Sequence, residues 1–181
     1  MPNEQTLPRG DSDIVIRPPE RCDGAAVWRL ARDSGSLDLN SQYAYLLWCD
    51  RFSDTSVVVD VDGELAGFVC GFRPQDEPEV LFVWQVVVGD AHRGKGLARG
   101  MVMALLQPGE GFRFVEATVT PSNSASQRLF RSLAELLGCP REESPYLQAA
   151  DFPEGDHEPE ILFRIGPFDL NRLHANRMIR P

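Results

Sequence analysis

The chain has 181 residues, of which 43% are hydrophobic and 25% are charged, a composition typical of a globular protein of about one domain. Its 18 Lys and Arg against 27 Asp and Glu give a formal net charge of −9, which disfavours a nucleic-acid binder and adsorption to anionic membranes. No apolar run reaches the ~18 residues of a membrane span, and the N-terminal MPNEQTLPRGDSD lacks a signal-peptide core, so we expect a soluble cytoplasmic protein.

The periodicity of the chain predicts an α/β domain. Strands are indicated by alternating or continuous apolar runs at residues 13–17, 55–61, 64–72, 80–88, 112–120 and 160–166. Helices are indicated by apolar stripes with capping or stop residues at 18–35, within 36–52, at about 96–107 and at 121–137, with Asn40 or Ser41 as the cap of the second. This order, β-α-α-β-β-β-α-β-α-β, predicts a mixed sheet flanked by helices.

One domain is predicted over residues 13–166, between a loose N-terminal tail, 1–12, and a C-terminal tail, 167–181. Residues 139–159 are rich in Pro, Asp and Glu and are predicted to form a long loop, of a length that is usually functional or disordered. No metal site is predicted, because the three His lie far apart and no Cys cluster exists. The four Cys have no CxxC spacing, so we expect reduced and mostly buried thiols.

The most informative segment is 80–100, where a strand predicted to be buried on both faces leads through a glycine-rich turn into a helix. Residues 91–100 contain three basic residues and no acid, which stands out in an acidic chain. The basic residues are Arg93, Lys95 and Arg99. Glycines let the main chain approach an anion closely, and N–H groups at a helix start carry partial positive charge. The segment therefore predicts a phosphate-binding turn.

Two nucleotide-binding motifs fit this turn incompletely. A P-loop would need Ser or Thr after Gly89-x4-Gly94-Lys95, but Gly96 stands there. A dinucleotide fingerprint would need GxGxxG, and after Gly94-x-Gly96 the next glycine, Gly100, is one position late. Neither motif is favoured.

The stretch Arg93-x-x-Gly96-x-Ala98, written RGKGLA, resembles the pyrophosphate motif of the GNAT superfamily of acetyl-CoA-dependent N-acetyltransferases. It also lies where that family has it, between the fourth strand and the following helix. The resemblance covers about 14–166. It implies a GNAT-like mixed, mostly antiparallel sheet, splayed between strands four and five and flanked by helices, with acetyl-CoA as the co-substrate.

The resemblance further implies that the cofactor is bound by the backbone. Main-chain N–H groups would hold the pyrophosphate at Arg93, Gly94, Lys95, Gly96, Leu97 and Ala98, and strand backbone would hold the pantetheine arm at Gln85, Val86, Val87 and Val88. Many family members protonate the leaving thiolate with a tyrosine on the helix after strand five, but Phe130 occupies that position here. A water, another tyrosine or no protein acid stay open as alternatives.

Four longer segments, 37–49, 76–88, 115–133 and 155–165, resemble the family of diaminobutyrate acetyltransferases of ectoine biosynthesis, an osmoprotective pathway. That resemblance implies transfer of acetyl to the γ-amine of L-2,4-diaminobutyrate, a small-molecule substrate, by a homodimer. A GNAT enzyme for a polyamine, an aminoglycoside or a protein terminus is an open alternative. So is a coenzyme A-binding module without catalysis.

A diamino acid needs an ammonium site, a carboxylate site and a proton acceptor, because its side-chain amine has a pKa near ~10 and arrives protonated. Asp38, in the loop between two helices, is the first candidate for the ammonium site. The other substrate-binding candidates are Asn40, Tyr43, Trp84 and Thr118, and the catalytic candidates are Glu116, Asn123 and His157. Each has a structural alternative, such as helix capping, core packing or simple exposure. No Cys is marked as a nucleophile, so we predict direct attack by the amine.

Overall fold

The structure, a computed structural model, describes residues 5–6, 13–35, 37–107, 109–153 and 157–170. The strands are β1 Gln5–Thr6, β2 Ile14–Arg17, β3 Ser56–Val61, β4 Glu64–Phe72, β5 Val80–Val88, β6 Phe114–Val119, β7 Arg141–Leu147 and β8 Glu160–Ile165. The α-helices are α1 Gly24–Ser34, α2 Gln42–Arg51, α3 Leu97–Leu105 and α4 Ser124–Leu137. The chain divides into two compact units: the first is Met1–Phe72 with Val83–Gln107, and the second is Arg73–Phe82 with Pro108–Pro181.

In the first unit the strands follow the order β1-β2-β3-β4-β5, and β1 to β4 pair in antiparallel fashion. Alternation along β3 and β4 sends neighbouring residue pairs to opposite faces. The pair Val58 and Phe68 packs with Tyr45 of α2 in a buried cluster that also contains α1 residues. The pair Val59 and Gly67 lies instead against α3, which covers the other face. Helices therefore flank both sides of this half of the sheet.

The loop between α1 and α2 has defined ends. Gly35 ends α1 in the left-handed conformation, and the Ser41 side chain accepts a hydrogen bond from the Ala44 N–H at 3.2 Å. Ser41 is therefore the N-cap of α2, and the alternative cap Asn40 is wrong. Between these ends, Asp38 and Leu39 are exposed, whereas Leu37 and Asn40 are half-buried.

In the second unit the order is β5-β6-β8-β7. Strand β5 pairs in parallel with β6 over Val80–Phe82, whereas β6 with β8 and β8 with β7 are antiparallel. Helix α4 is buried along its apolar side, and Phe130 lies against Phe163 of β8 with ring centroids 6.1 Å apart. The predicted mixed, mostly antiparallel sheet flanked by helices is confirmed.

Strand β7 corrects the prediction that residues 139–159 form one long loop. Its sequence, REESPYL, has no apolar alternation, because the strand lies at the end of the strand order and its residues are mostly exposed. Pro145 stands next to a register shift, and proline within a run argues against a strand. The pairing with β8, which no local pattern reports, makes this segment a strand.

The tails lie mostly beyond the described residues. Of the predicted N-terminal tail, Gln5 and Thr6 form β1, and the rest lies outside them. Of the C-terminal tail, residues 171–181 lie outside, whereas Phe168 and Leu170 are buried. Among the helices of the described ranges, none has the length and apolar character to cross a bilayer.

Candidate active site

The glycine-rich turn follows directly from β5. A short 3-10 turn, Asp90–His92, leads to Gly94 and Gly96, whose φ angles are 76° and 78°. Nothing lies within 4 Å of where a Cβ would stand on either glycine, so the positive φ, and not a lack of space, requires glycine there. Gly96 is the N-cap of α3 and supplies no side-chain cap, so the first N–H groups of α3 have no partner within the helix. Such a terminus suits an anion.

The basic side chains of the turn do not act alike. Arg93 forms an ion pair with Asp90 at 2.9 Å, and its Nε donates to the Val88 carbonyl at 3.2 Å. Arg93 therefore braces the turn against the end of β5, and Asp90, just outside the basic window, offsets part of its charge. Lys95 and Arg99 are exposed beside the helix start. Sequence reasoning counted Arg93 as anion-attracting charge and missed this bracing contact.

Asp38 lies in the loop between α1 and α2, as predicted. Its main-chain carbonyl accepts a hydrogen bond from Gln85 Nε2 of β5 at 3.0 Å. Gln85 Oε1 in turn accepts from the Tyr45 hydroxyl of α2 at 3.1 Å. Both side chains are buried. The sequence prediction used only the backbone of Gln85, although one amide within the apolar run LFVWQVVV is itself a signal for a specific polar contact.

Two of the predicted aromatic residues are strongly exposed. Tyr43 on α2 is 67% exposed and Trp84 on β5 is 46% exposed, so neither is a fully packed core residue. The Trp84 ring contacts Trp48, with centroids 4.8 Å apart, and Trp48 contacts Phe52 at 4.5 Å. Trp84 is thus supported by a packed indole, and part of its ring surface is accessible. Asn40 is half-buried next to the Ser41 cap.

In the second unit, Glu116 is buried at 8% exposure and forms an ion pair with Arg164. The two residues are direct cross-strand partners on β6 and β8. Arg164 also pairs with Glu77 at 2.6 Å and stacks over Phe114, at 4.4 Å from its ring centroid. The alternative of an outward, solvated Glu116 therefore does not hold. Two residues farther along β6, on the same face, lies the half-buried Thr118.

Asn123 is the N-cap of α4, and its side chain accepts a hydrogen bond from the Ser126 N–H at 3.0 Å. Asn123 therefore has the helix-capping role that was its structural alternative. The preceding residue, Ser122, donates its N–H to Glu158 at 3.1 Å and also donates its hydroxyl to the same carboxylate. The start of α4 is thereby tied to the segment that contains His157.

His157 is held by two contacts within that segment. Its ring stacks on Phe152 at a centroid distance of 3.9 Å, and Nδ1 lies 2.6 Å from the Glu158 carbonyl oxygen. A carbonyl only accepts, so in a neutral imidazole it is Nδ1 that holds the hydrogen. Nε2 lies 4.0 Å from Glu160 Oε1. The alternative that His157 is a loop histidine without specific contacts is therefore not supported.

The cysteines are poor nucleophiles. Burial raises the pKa of Cys49 to about 12 and raises the pKa of Cys70 and of Cys139 above the usual value. Cys22 is exposed, and its hydrogen bond to Glu20 raises the pKa of that thiol. The thiolate is the reactive form, so none of these residues fits an acetyl-enzyme intermediate.

Two further features bear on the chemistry. Phe130 is buried in the apolar face of α4, so the position of the family tyrosine contributes packing and no hydroxyl. Within the described part of the chain, no group of three or more His, Cys, Asp or Glu is arranged to hold a metal ion.

Comparison with known proteins gives consistent matches. The pattern of the acetyltransferase (GNAT) family matches residues 25–134. The L-2,4-diaminobutyric acid acetyltransferase of Streptomyces coelicolor is 49% identical over 160 residues, which cover 86% of this chain and 94% of that protein. The enzyme of the same name from Virgibacillus pantothenticus is 48% identical over 151 residues, covering 82% of this chain and 95% of that protein.

A solved structure adds a match in three dimensions. Diaminobutyrate acetyltransferase EctA from Paenibacillus lautus, in complex with its substrate L-2,4-diaminobutyric acid and coenzyme A, shares 46% identity with this chain. The TM-score is 0.83, and the alignment covers 87% of this chain and 97% of that chain. Ard1 from Thermoplasma volcanium is 16% identical with a TM-score of 0.66, which shows a common fold alone.

Proposed function

The chain belongs to the acetyltransferase (GNAT) family, and we propose that it transfers acetyl from acetyl-CoA to the γ-amine of L-2,4-diaminobutyrate, a step of ectoine biosynthesis. The observation that supports this most is the close similarity, over more than four fifths of the chain, to enzymes named for this acceptor. The related structure that holds both this acceptor and coenzyme A has the same fold over nearly its whole length. The residues of the glycine-rich turn and of the loop around Asp38 are the basis for the proposed binding of the two substrates.

On the donor side, we propose that the main-chain N–H groups of 93–98 bind the coenzyme A pyrophosphate. The positive φ of Gly94 and Gly96 and the uncapped start of α3 support this role. Arg93 acts as a brace for the turn. The backbone of 85–88 on β5 is proposed to align the pantetheine arm, as the family resemblance implies.

On the acceptor side, we propose that Asp38 pairs with the α-ammonium of the substrate. Tyr43 and Trp84 offer exposed aromatic surface, and a ring face attracts a cation by about 0.5–2 kcal/mol. Asn40 and Thr118 are further proposed polar contacts to the substrate, each as its sequence position predicts. Fixing the α-ammonium leaves the γ-amine as the group that attacks.

The reaction requires a deprotonated γ-amine. We propose His157 as the proton acceptor, directly or through water, because an imidazole can take up a proton near neutral pH and its ring is held in place by Phe152 and by the Glu158 carbonyl. Glu116 is proposed as the second proton acceptor, because it is a buried carboxylate whose position on β6 is held by Arg164. Asn123, the last catalytic candidate, is proposed to act by holding the start of α4.

The proposed chemical step is a direct transfer. The amine nitrogen attacks the thioester carbonyl carbon, the new C–N bond forms, and the C–S bond of the tetrahedral intermediate breaks. The amine loses a proton, and the coenzyme A thiolate leaves and takes a proton from water. No tyrosine stands at the Phe130 position, and an ordinary thiol pKa of about 8.5 makes the thiolate a tolerable leaving group.

We also propose that the enzyme is a cytoplasmic homodimer. The family resemblance supports the dimer, and the nature of the co-substrate and of the pathway supports the compartment. Sedimentation equilibrium of the purified protein should give twice the mass of 20.2 kDa expected for one chain. A single-chain mass at micromolar concentration would contradict the dimer.

The test of the function is thiol release from acetyl-CoA by the purified protein. L-2,4-diaminobutyrate would be compared with ornithine, lysine, spermidine and an aminoglycoside. We expect the highest kcat/KM with diaminobutyrate. Faster release with another amine would contradict the acceptor, whereas coenzyme A binding without release for any amine would favour a module without catalysis.

A further inference from the structure

We infer that the buried pair Tyr45 and Gln85 positions Asp38, so that the choice between the two amines of the acceptor depends on a side-chain amide inside the first unit. The inference rests on the proposed function, because it assigns Asp38 to the substrate ammonium. Tyr45 and Gln85 are positioning residues, and neither is proposed to touch the acceptor.

The orientation of the amide follows from its two hydrogen bonds. The Tyr45 hydroxyl donates to Gln85 Oε1 at 3.1 Å, which turns the oxygen of the amide towards α2. Gln85 Nε2 then points to the Asp38 carbonyl and donates at 3.0 Å. A flipped amide would place its oxygen against the Asp38 carbonyl oxygen, which would bring two acceptors together with no hydrogen between them. The Asp38 carbonyl thus determines which end of Gln85 meets it, and the Tyr45 hydroxyl holds the amide in that orientation by donating to Oε1.

Because both residues of the pair Tyr45 and Gln85 are buried, their hydrogen bonds are difficult to replace. Tyr45 is 0% exposed and Gln85 is 7% exposed, so water is poorly placed to replace either partner. A buried polar group that loses its partner is more unfavourable than an apolar group of the same shape. The surrounding residues of β5, LFVW and VVV, are apolar or aromatic. A hydrophobic side chain at position 85 would therefore be enough for the stability of the strand.

The site of the contact points to a positional role. Gln85 bonds the main chain of Asp38 itself, and it lies on the strand whose backbone is proposed to align the pantetheine arm. The far end of the loop is fixed at the Ser41 cap. One side chain therefore sets the placement of the ammonium-binding residue relative to the strand that holds the thioester.

Loss of this placement has a specific chemical signature. The α-amine has a pKa of about 8 and the γ-amine of about 10, so near neutral pH the free α-amine is roughly a hundredfold more abundant. If Asp38 no longer holds the α-ammonium firmly, the α-nitrogen becomes a competing nucleophile. The ratio of γ-acetyl to α-acetyl product then falls, which a merely structural defect would not cause.

The test uses Tyr45→Phe, which removes only the hydroxyl, and Gln85→Met, which keeps the length of the side chain without the amide. The matched control is Thr55→Val, because the Thr55 hydroxyl donates to the Gly71 carbonyl at 2.6 Å elsewhere in the first unit. We expect the first two variants to raise KM for diaminobutyrate about fivefold to tenfold, to leave KM for acetyl-CoA within about twofold and to yield α-acetyl product.

Hydrogen exchange of the amides in residues 37–41 supplies a readout without an acceptor. Exchange should accelerate in Gln85→Met and stay unchanged in Thr55→Val. Unchanged exchange and an unchanged product ratio in Tyr45→Phe and Gln85→Met, with a fall in Tm like that of the control, would overturn the inference. Failure of the wild type to acetylate diaminobutyrate would instead contradict the proposed function, and loop exchange alone would then decide whether the pair orders the loop.

Discussion

In the turn 89–98 the groups proposed to bind a ligand are main-chain N–H groups, whereas in the loop around Asp38 they are side chains. The turn is defined by two glycines at positive φ and an uncapped helix start. The loop is defined by a hydrogen bond from a buried amide and by the cap of α2. The two regions should therefore respond to opposite kinds of substitution.

This contrast also explains what each region can select. A backbone anion site recognises a pyrophosphate, which all acetyl-CoA enzymes share, and it depends little on side-chain identity. An acceptor site built from Asp38, Tyr43 and Trp84 can distinguish one amine from another by charge and aromatic contact. The proposal therefore assigns the choice of cofactor to local backbone shape and the choice of acceptor to side chains.

The largest effect is expected from Gly96→Val. A β-branched residue at a φ of 78° is strained and will distort the turn, so KM for acetyl-CoA should rise about tenfold or more, with little change in KM for diaminobutyrate. The matched control is Gly63→Val, since Gly63 has a φ of 82° in the hairpin between β3 and β4. Equal damage to acetyl-CoA binding by both variants would remove the special role of the turn.

The reciprocal substitution is Asp38→Asn, which removes the charge and keeps the shape. We expect KM for diaminobutyrate to rise about tenfold and KM for acetyl-CoA to change less than about twofold, because loss of a charged hydrogen-bond partner at an exposed residue weakens binding by about 1.5 kcal/mol. Asp33→Asn, at the exposed end of α1, is the control and should leave both constants unchanged. A comparable rise in both constants for Asp38→Asn would contradict an acceptor-side role.

A smaller effect on KM for acetyl-CoA is expected from the basic residues of the turn. It distinguishes a residue that braces the turn, Arg93, from one that offers only its charge, Lys95. Arg93→Met should raise KM for acetyl-CoA about threefold to tenfold, because it removes the contacts to Asp90 and the Val88 carbonyl that fix the turn. Lys95→Met removes an exposed cation and should change the same constant by no more than about threefold. A larger loss with Lys95→Met would show that side-chain charge, and not backbone shape, dominates pyrophosphate binding.

The smallest effect is expected from the cysteines, which lie outside both regions. The pKa of each thiol is raised, so below pH 8 the thiols stay protonated and thiolate appears only as the pH rises towards the raised values. Cys22→Ser should keep full activity, and treatment of the folded wild type with iodoacetamide at pH 7 should not inactivate it. Rapid inactivation, or isolation of an acetylated cysteine during turnover, would contradict direct transfer.

The sequence predicted those parts of the fold that local chemistry determines. The six predicted strands are buried apolar runs or alternating segments, and all six are present. Strand β7 was missed because its identity depends on pairing with β8, and its own residues are exposed and include Pro145. The sequence alone does not decide whether Asn40 or Ser41 is the N-cap of α2, and only the geometry of the structure assigns the cap to Ser41.

The candidate site shows the same division. The turn is local in sequence, so its glycines and the helix start could be identified from ten consecutive residues. The contacts from Gln85 to Asp38 and from Arg164 to Glu116 join residues 47 and 48 positions apart, and no spacing rule indicates them. Sequence reasoning therefore named Asp38, Glu116 and the backbone of Gln85, but it missed the side-chain contacts that hold Asp38 and Glu116.

The most direct test of the account is the position of the acetyl group on diaminobutyrate, determined by NMR of the product formed at pH 7.5. Free-amine abundance alone favours the α-nitrogen, so attack by the γ-nitrogen requires that the protein hold the α-ammonium. The account predicts γ-N-acetyl-diaminobutyrate as almost the sole product of the wild type. Mainly α-acetyl product, or a mixture that follows the abundance of the free amines, would contradict it.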